Sequence, residues 1–407
     1  MIQPRPEDEP ERADDFAIAN PDAVRELGAM NMKRSLLPIA SLAMLPALLS
    51  CGEVPQDRPP LTDAALAAVT DNAGAPTEDL ARQVDDLFSQ EGLGETRALI
   101  VMQDGEIAAE RYGEGYDADT RMISWSMAKT ISAVMIGMLV SDGRLSLDES
   151  APVAMWQRPG DPRGEITLRQ LLQMRSGLRH TEAGNPPYES SEVRMLFLDG
   201  RDNMARWAKE QPLEAEPGAK FEYSSNTSVI LADIAARALT ESNLPDARRK
   251  AVSDYLQARL FAPLGMDSMV LEFDASGTLI GGSLVHATAR DWAKLGEFLR
   301  RKGTGPGGEQ LVPSRWVDRM ITPSPRSPHY GFQTWLNRPL DDAEAQHPLF
   351  PARAPETMFS LIGHMGQYVI VSPEQRLTVV RLGHSNREER IAMLQQVADV
   401  VELYPVR

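Results

Sequence analysis

The chain has 407 residues, a formal net charge of −16 at neutral pH and a single cysteine. This length suffices for one large domain or two smaller ones with a sizeable core. A lone cysteine excludes a disulfide within the chain, and the acidic balance argues against a nucleic-acid partner, which would require a basic stripe.

The segment that ends at Cys51 has the pattern of a targeting signal. Residues 32 to 52 read MKRSLLPIASLAMLPALLSCG, with a basic start, an apolar stretch and small or aliphatic residues before the cysteine. The pattern resembles a bacterial lipoprotein signal peptide with a lipobox at residues 48 to 51. The resemblance implies cleavage, lipid attachment at Cys51 and a protein anchored in the bacterial cell envelope, facing the periplasm or the exterior.

Two alternatives remain open for this segment, a buried helix and an uncleaved membrane anchor. Pro38 and Pro46 would interrupt a helix, and the apolar run is short for a membrane span. Residues 1 to 31 are acidic and contain proline, which is unusual ahead of a signal peptide. Met30 or Met32 is therefore a candidate initiator, which N-terminal sequencing of the precursor would identify.

Composition divides the chain into three parts. Residues 1 to 50 hold the doubtful N-terminal extension and the signal peptide. Residues 51 to 79 are rich in Pro, Asp and Ala without strong periodicity, which is typical of a tether between a lipid and a folded body. Residues 80 to 407 are predicted to form the folded domain.

Strands are predicted near both ends of this domain. Residues 97 to 116 hold two β-rich runs around Asp104-Gly105, a dipeptide that suits a tight hairpin turn with positive φ. Residues 367 to 372 and 376 to 383 have the pattern of a second strand pair.

The middle of the domain is predicted to be mostly helical. Residues 130 to 141 contain no charged side chain, so this helix is apolar all round and belongs at the centre of the core. Residues 166 to 178, 226 to 239 and 388 to 404 also have helical patterns. Since a long helical segment separates the two strand pairs, we expect a sheet built from both ends of the chain and packed by helices.

Ser126 and Lys129 lie three residues apart at the polar start of the apolar helix, so a helix would project both from one face. A Ser-x-x-Lys pattern is weak by itself, because about one match is expected by chance in a chain of this length. Burial and the helix dipole would lower the pKa of Lys129 and suit it to accept a proton from Ser126. The helix N-terminus would supply N–H groups for a developing negative charge.

Tyr223 precedes a Ser-Ser-Asn cluster at the start of a predicted helix. Its hydroxyl could relay a proton between a nucleophile and a leaving group. The alternative is a tyrosine that closes a turn, with Ser and Asn side chains capping the helix.

His364, Gly366 and Gln367 come directly before a predicted strand. A glycine there allows the backbone to approach a ligand, and an N–H at the strand edge is a suitable oxyanion donor. The alternative is a plain β-bulge.

These three clusters resemble the ordered motifs of the serine β-lactamase and penicillin-recognising superfamily, which are Ser-x-x-Lys, Tyr-x-Asn/Ser and Lys/His-x-Gly. The flanking segments ITLRQLLQMRSGL, FAPLGMDSM and HATARDWAKLGEFL are similar to the class C β-lactamase-related branch. The resemblance spans roughly residues 80 to 400. It implies an α+β sandwich, in which an antiparallel sheet is flanked by helices and a mostly helical subdomain lies between the N- and C-terminal strands.

The resemblance also implies roles for single residues. Ser126 would be the acylated nucleophile and Lys129 its proton acceptor or electrostatic partner, with Tyr223 as general acid and base. The backbone N–H groups of Ser126 and Gln367 would form the oxyanion hole. His364 would stand where many relatives carry a lysine that binds a substrate carboxylate.

One motif position departs from the class C β-lactamases. Ser225 occupies the third position of the tyrosine motif, where those enzymes have Asn, which makes efficient antibiotic hydrolysis doubtful. The departure is more similar to 6-aminohexanoate-dimer hydrolases and carboxylesterases. Whether Ser225 or Asn226 faces the pocket is open at this point, as is whether Trp125 lines the pocket or packs in the core.

Three functions remain in view. The first is a lipid-anchored serine hydrolase that cleaves a small amide or ester. The second is a D-alanyl carboxypeptidase or weak β-lactamase, and the third is a non-catalytic surface lipoprotein that binds cell-wall fragments or a protein. No cofactor is implied, and the six scattered histidines do not have the spacing of a metal site.

Overall fold

The computed structural model describes residues 60–339 and 348–407. All the pairings between its named strands are antiparallel. The strands are β1 (Glu95–Gln103), β2 (Glu106–Tyr112), β3 (Met122–Ile123), β4 (Val270–Leu271), β5 (Val285–Ala287), β6 (Trp335–Leu336), β7 (Phe359–Gly363), β8 (Gln367–Ser372) and β9 (Leu377–His384).

Helices precede β1, follow β9 and make up the larger part of the regular structure between β3 and β6. They are α1 (Asp63–Ala67), α2 (Thr77–Ser89), α3 (Ala128–Ser141), α4 (Leu168–Leu172), α5 (Ser191–Phe197), α6 (Met204–Glu210), α7 (Ser225–Leu239), α8 (Pro245–Leu256), α9 (Ala262–Leu264), α10 (Ala289–Arg300), α11 (Ser314–Met320) and α12 (Arg387–Glu402). None of the helices in the described ranges has both the length and the apolar character needed to cross a membrane.

The main sheet joins the two ends of the domain, as predicted. Its six strands lie in the order β2-β1-β9-β8-β7-β6, so that β1 pairs with β9. The hairpin between β1 and β2 turns at Asp104 and Gly105, whose φ angles are 58° and 92°. Helices α10 and α2 pack against this sheet, and buried residues of α12 share an apolar cluster with residues of β1, β8 and β9. The predicted α+β class is confirmed.

Helix α3 lies at the centre of the core. Every residue from Ala128 to Leu139 is buried, which agrees with a helix that is apolar all round. It packs against α7, and Gly137 allows the indole of Trp316 to approach, because a Cβ added at Gly137 would lie 2.3 Å from the indole nitrogen. Since α3 is enclosed on all sides, the residues at its N-terminus are held in one place.

The folded body begins earlier than the composition suggested. Helix α1 and the first residues of α2 precede residue 80, and the backbone N–H of Thr70 donates to the carbonyl of Ala108 on β2 at 2.9 Å. The prediction of a tether over residues 51 to 79 is therefore wrong for the last part of that range. A five-residue helix is too short to produce a periodic signal, and the alanines of this segment, such as Ala65, are small enough to pack closely. The predictions for residues 1 to 50 and for Cys51 lie outside the described residues.

Two other elements differ from the sequence prediction. The helix expected over residues 166 to 178 is limited to α4, because Met174 and Gly177 take positive φ angles that end it. A small sheet of order β3-β5-β4 was not predicted, since strands of two or three residues have no readable alternation. This small sheet leads directly into the turn that carries Ser126.

Candidate active site

Ser126 and Lys129 meet as their spacing predicted, although Ser126 is not itself in the helix. Ser126 lies in a 3-10 turn, Trp125–Met127, between β3 and α3, and Trp125 enters that turn with a φ of 45°. Lys129 is in the first turn of α3. Its Nζ atom lies 2.8 Å from Ser126 Oγ. The hydroxyl and the amine are therefore already within proton-transfer distance.

Lys129 is almost completely enclosed, with 1% of its surface exposed. Besides Ser126, its Nζ donates to Ser225 Oγ at 2.7 Å and to the carbonyl of Gly282 at 2.9 Å. Burial lowers the pKa of Lys129, while the negative charges of nearby glutamates oppose that change. The amine thus contacts three hydrogen-bond partners in a buried environment that lowers its affinity for a proton.

Tyr223 completes the cluster from the segment before α7. Its side chain interacts with that of Ser126, and the centroid of its ring lies 4.7 Å from Lys129 Nζ. The ring also packs against Trp335, with centroids 5.2 Å apart. Burial raises the pKa of Tyr223 well above its usual value, and the charge of Glu182 raises it further. Tyr223 is therefore a neutral phenol at neutral pH, with a hydrogen available to donate.

The structure distinguishes Ser225 from Asn226. Ser225 is the first residue of α7 and accepts from Lys129, whereas the Asn226 side chain donates to the carbonyl of Ser191 at 3.3 Å, away from the cluster. Successive helical residues point about 100° apart, so only one of the two can face Lys129. Neither residue is among those that line the cavity above Ser126. Ser224 caps the helix, accepting from the backbone N–H of Asn226.

The predicted oxyanion segment is a tight turn between β7 and β8. Met365 and Gly366 have φ angles of 57° and 82°, and the carbonyl of Gly366 accepts from Arg381 Nη1 at 2.9 Å. A Cβ at position 366 would lie 2.7 Å from that same nitrogen. Gly366 is thus required by the approach of Arg381, and it does not line the cavity. Arg381 is fully buried and fixes this turn.

Gln367 is the first residue of β8 and lies against the cavity. Its side chain is held against β9, because Nε2 donates to the carbonyl of Gly383 at 2.6 Å. The neighbouring strand β7 approaches the Ser126 turn closely, since a Cβ at Gly363 would lie 2.2 Å from the carbonyl oxygen of Ser124. The two segments that carry the predicted oxyanion donors are therefore packed together.

A cavity of about 740 Å³ opens above Ser126, and its surface is mostly apolar. Trp125 and His364 stand edge to face on one wall, with ring centroids 5.5 Å apart. Positive side chains also line the cavity, namely Arg97 and Arg121, together with the imidazole of His384. The cavity can hold a small molecule with an apolar body, with Ser126 directly accessible to it.

Two glutamates of the site were not anticipated from the sequence. Glu182 and Glu192 both line the cavity and both contact the Ser225 hydroxyl, at 2.7 Å each. They come from the segment before α5 and from α5 itself. No motif or periodicity marked them, because their position depends on how a loop folds back over the start of α7. Among the described residues, no three His, Cys, Asp or Glu side chains are grouped to bind a metal ion.

The antiparallel sheet with its helical layers, and the serine, lysine and tyrosine assembled beside it, define a protein with the β-lactamase/transpeptidase fold. The family model described as Beta-lactamase matches residues 85–402, and the chain belongs to that family.

Individual relatives agree with this assignment. The 6-aminohexanoate-dimer hydrolase of Paenarthrobacter ureafaciens is 26% identical over 241 residues, which cover 56% of this chain and 57% of that protein. The chain thus spans little more than half the length of this curated relative.

Solved structures share the fold. A Bacillus anthracis protein provisionally described as a 6-aminohexanoate-dimer hydrolase superposes with a TM-score of 0.61 at 21% identity, covering 85% of this chain and 88% of that one. A family VIII carboxylesterase superposes with a TM-score of 0.57 at 15% identity, covering 81% of this chain and 98% of that one.

Proposed function

We propose that the protein is a serine hydrolase that cleaves a small amide or ester through an acyl-enzyme on Ser126. The observation that carries the proposal is the position of one hydroxyl. Ser126 Oγ is 2.8 Å from the enclosed amine of Lys129, interacts with the side chain of Tyr223 and opens into an apolar cavity. The names of the relatives, a 6-aminohexanoate-dimer hydrolase and a carboxylesterase, support hydrolytic chemistry of this kind.

The proposed acylation step uses each member of the cluster once. The neutral amine of Lys129 accepts the proton of Ser126 as Oγ bonds to the substrate carbonyl carbon. The backbone N–H groups of Ser126 and Gln367 stabilise the developing oxyanion. Tyr223 then donates its hydrogen to the leaving nitrogen or oxygen as that bond breaks, and the proton on Lys129 replaces the one that Tyr223 has lost. Water hydrolyses the acyl-enzyme by the reverse transfers.

Two features, Ser225 and the character of the cavity, are our reasons for expecting an amide or ester substrate. Ser225 stands where class C β-lactamases have Asn, and the cavity around Ser126 is apolar with cationic groups on its wall. We expect the substrate to have an apolar acyl or alcohol part.

We also propose that the protein is attached to the bacterial cell envelope through a lipid on Cys51, facing the periplasm or the exterior. The signal-like pattern of residues 32 to 52 supports this placement. Metabolic labelling with a fatty-acid probe, compared between the natural chain and Cys51→Ser, tests it. Equal labelling of both would contradict it.

Hydrolysis of short-chain p-nitrophenyl esters and of the matching p-nitroanilides tests the activity. We expect turnover of at least the esters, and its loss in Ser126→Ala. Exposure to a fluorescent penicillin tests the cell-wall alternative, for which a lasting adduct on Ser126 is expected. A folded protein that neither turns over these substrates nor forms any adduct would refute the hydrolase and leave a binding role.

A further inference from the structure

The carboxyl groups of Glu182 and Glu192 meet at a single hydroxyl. Ser225 Oγ lies 2.7 Å from Glu182 Oε1, 2.7 Å from Glu192 Oε1 and 2.7 Å from Lys129 Nζ. Ser225 is completely buried, so no bulk water intervenes. This three-way contact is not part of the three motifs that the sequence displays.

Hydrogen counting restricts the charge state of the two carboxyls. A serine hydroxyl has one hydrogen to donate and two lone pairs. Lys129 donates to one lone pair, and it does so whether it is an ammonium ion or a neutral amine that accepts from Ser126. The single Ser225 hydrogen reaches one carboxylate. The other carboxyl must therefore carry its own hydrogen and donate it to the remaining lone pair.

The surroundings identify which carboxyl carries the hydrogen. Glu182 Oε2 accepts the backbone N–H of Ser225 at 2.6 Å, and Glu182 Oε1 lies 3.6 Å from Lys129 Nζ, so Glu182 is the better place for a negative charge. Glu192 Oε1 has only hydroxyl neighbours, Ser225 and, at 3.5 Å, Ser283. Burial of the Glu192 carboxyl raises its pKa to about 8, and the charge of Glu182 contributes to that rise.

We infer that Glu192 is held as a neutral carboxylic acid that donates its hydrogen to Ser225, and that its ionisation reduces the reactivity of Ser126. When the O–H bond of Glu192 breaks, the proton passes to water in the cavity that Glu192 lines, and no other bond changes. The cluster then contains a second negative charge. Both carboxylates then compete for the one hydrogen of Ser225, so the hydroxyl that contacts Lys129 Nζ loses a hydrogen bond and no longer holds the amine in position beside Ser126. Glu192 is a positioning residue, since it acts through Ser225 and Lys129.

Other ionisable groups surround the pair. Glu182 Oε1 lies 3.6 Å from Lys129 Nζ, burial lowers the pKa of Lys129, and burial raises the pKa of Tyr223 well above its usual value. Burial raises the pKa of Glu222, and the charge of Glu182 contributes to that rise. The remaining titratable groups that line the same cavity are Arg97, Tyr116, Arg121, His364 and His384.

The protonation of Glu192 can be tested without turnover. Infrared difference spectra of the protein, taken between about pH 6 and about pH 10, report the C=O band of a protonated carboxyl. We expect a band that disappears with a midpoint near pH 8, is absent from Glu192→Gln and persists in Glu189→Gln. Glu189 is an exposed carboxylate on the same segment and serves as the matched control. A wild-type spectrum without this band, or one that Glu192→Gln leaves unchanged, overturns the inference.

The effect on Ser126 rests on the proposed function and has its own readout. The rate of covalent labelling of Ser126 by a fluorophosphonate is measured across the same pH range. In the wild type we expect a fall of about tenfold per pH unit above the midpoint. Glu192→Gln should lack that fall, and Glu192→Asp should restore it. Parallel falls in the wild type and in Glu192→Gln overturn this half of the inference. Absence of labelling at every pH refutes the proposed function as well, while the infrared band still decides the state of Glu192.

Discussion

Replacing Asp233 by Asn tests the buried charge network that joins α6, α7 and α8. Asp233 Oδ2 accepts from Lys209 Nζ at 2.7 Å, and Oδ1 accepts from Arg248 Nη2 at 2.6 Å. All three side chains are buried, and Arg237 adds a third contact from the next turn of α7. The substituted amide would keep the shape of the site but would remove the carboxylate that pairs with two enclosed cations.

The expected cost follows from the charges. Burial by itself would raise the pKa of Asp233, but Lys209, Arg248 and Arg237 together lower it from 3.8 to about 2. That change corresponds to roughly 2 kcal/mol of stability at neutral pH. The substitution costs more than this, since it leaves two cations unpaired in the interior, and breaking a buried pair costs about 3–5 kcal/mol. This is a large part of a typical unfolding free energy of about 5–15 kcal/mol.

The pH dependence has a definite sign. Because the folded state favours the ionised form of Asp233, its contribution is present above about pH 4 and is lost as the pH falls through about 2. Urea unfolding, followed by tryptophan fluorescence, measures it, and Trp156 is well placed because its indole donates to the carbonyl of Lys209 at 3.0 Å. The difference between Asp233→Asn and the wild type should shrink over that range.

Asp246→Asn is the matched control. Asp246 pairs with Arg249 on α8, but 95% of its side chain is exposed, so the substitution should cost less than about 1 kcal/mol. If Asp233→Asn costs no more than this control, or if its cost is unchanged at low pH, the network does not stabilise the fold as described.

Two further substitutions probe the site and the core. Tyr223→Phe removes the hydroxyl that interacts with Ser126 but keeps the ring, and we expect Ser126 labelling to slow by roughly 10²–10⁴-fold. The substitution Tyr330→Phe, at a neighbouring buried tyrosine, should leave the labelling rate unchanged, and equal rates for both variants would contradict the acid role. Gly137→Ala brings a Cβ to 2.3 Å from the Trp316 indole, and this clash, about 1–3 kcal/mol, should outweigh a helix-propensity gain of about 1 kcal/mol. An increased thermal midpoint would refute that packing argument.

The parts of the site that sequence could predict are those governed by local geometry. Ser126 and Lys129 are separated by one turn, so their meeting required only that the chain be helical there. The apolar run of α3 and the turn at Asp104-Gly105 are likewise local patterns. The pairing of β1 with β9 followed because strand signals occurred only near the two ends of the domain.

The remaining features depend on distant packing. The rotation of α7 about its axis selected Ser225 over Asn226, and no residue near them encodes that rotation. Glu182 and Glu192 join the cluster only because their segment folds across the start of α7. Gly366 looked like a glycine for ligand approach, but the side chain that approaches it is Arg381, which lies on the neighbouring strand β9.

Intact mass spectrometry after incubation with a fluorophosphonate tests the central claim most directly. We expect a single adduct on the wild-type protein, located by peptide mapping at Ser126, and no adduct on Ser126→Ala with the same fold. An unmodified wild type that is shown to be folded, or equal modification of both proteins, would contradict the assignment of Ser126 as the nucleophile.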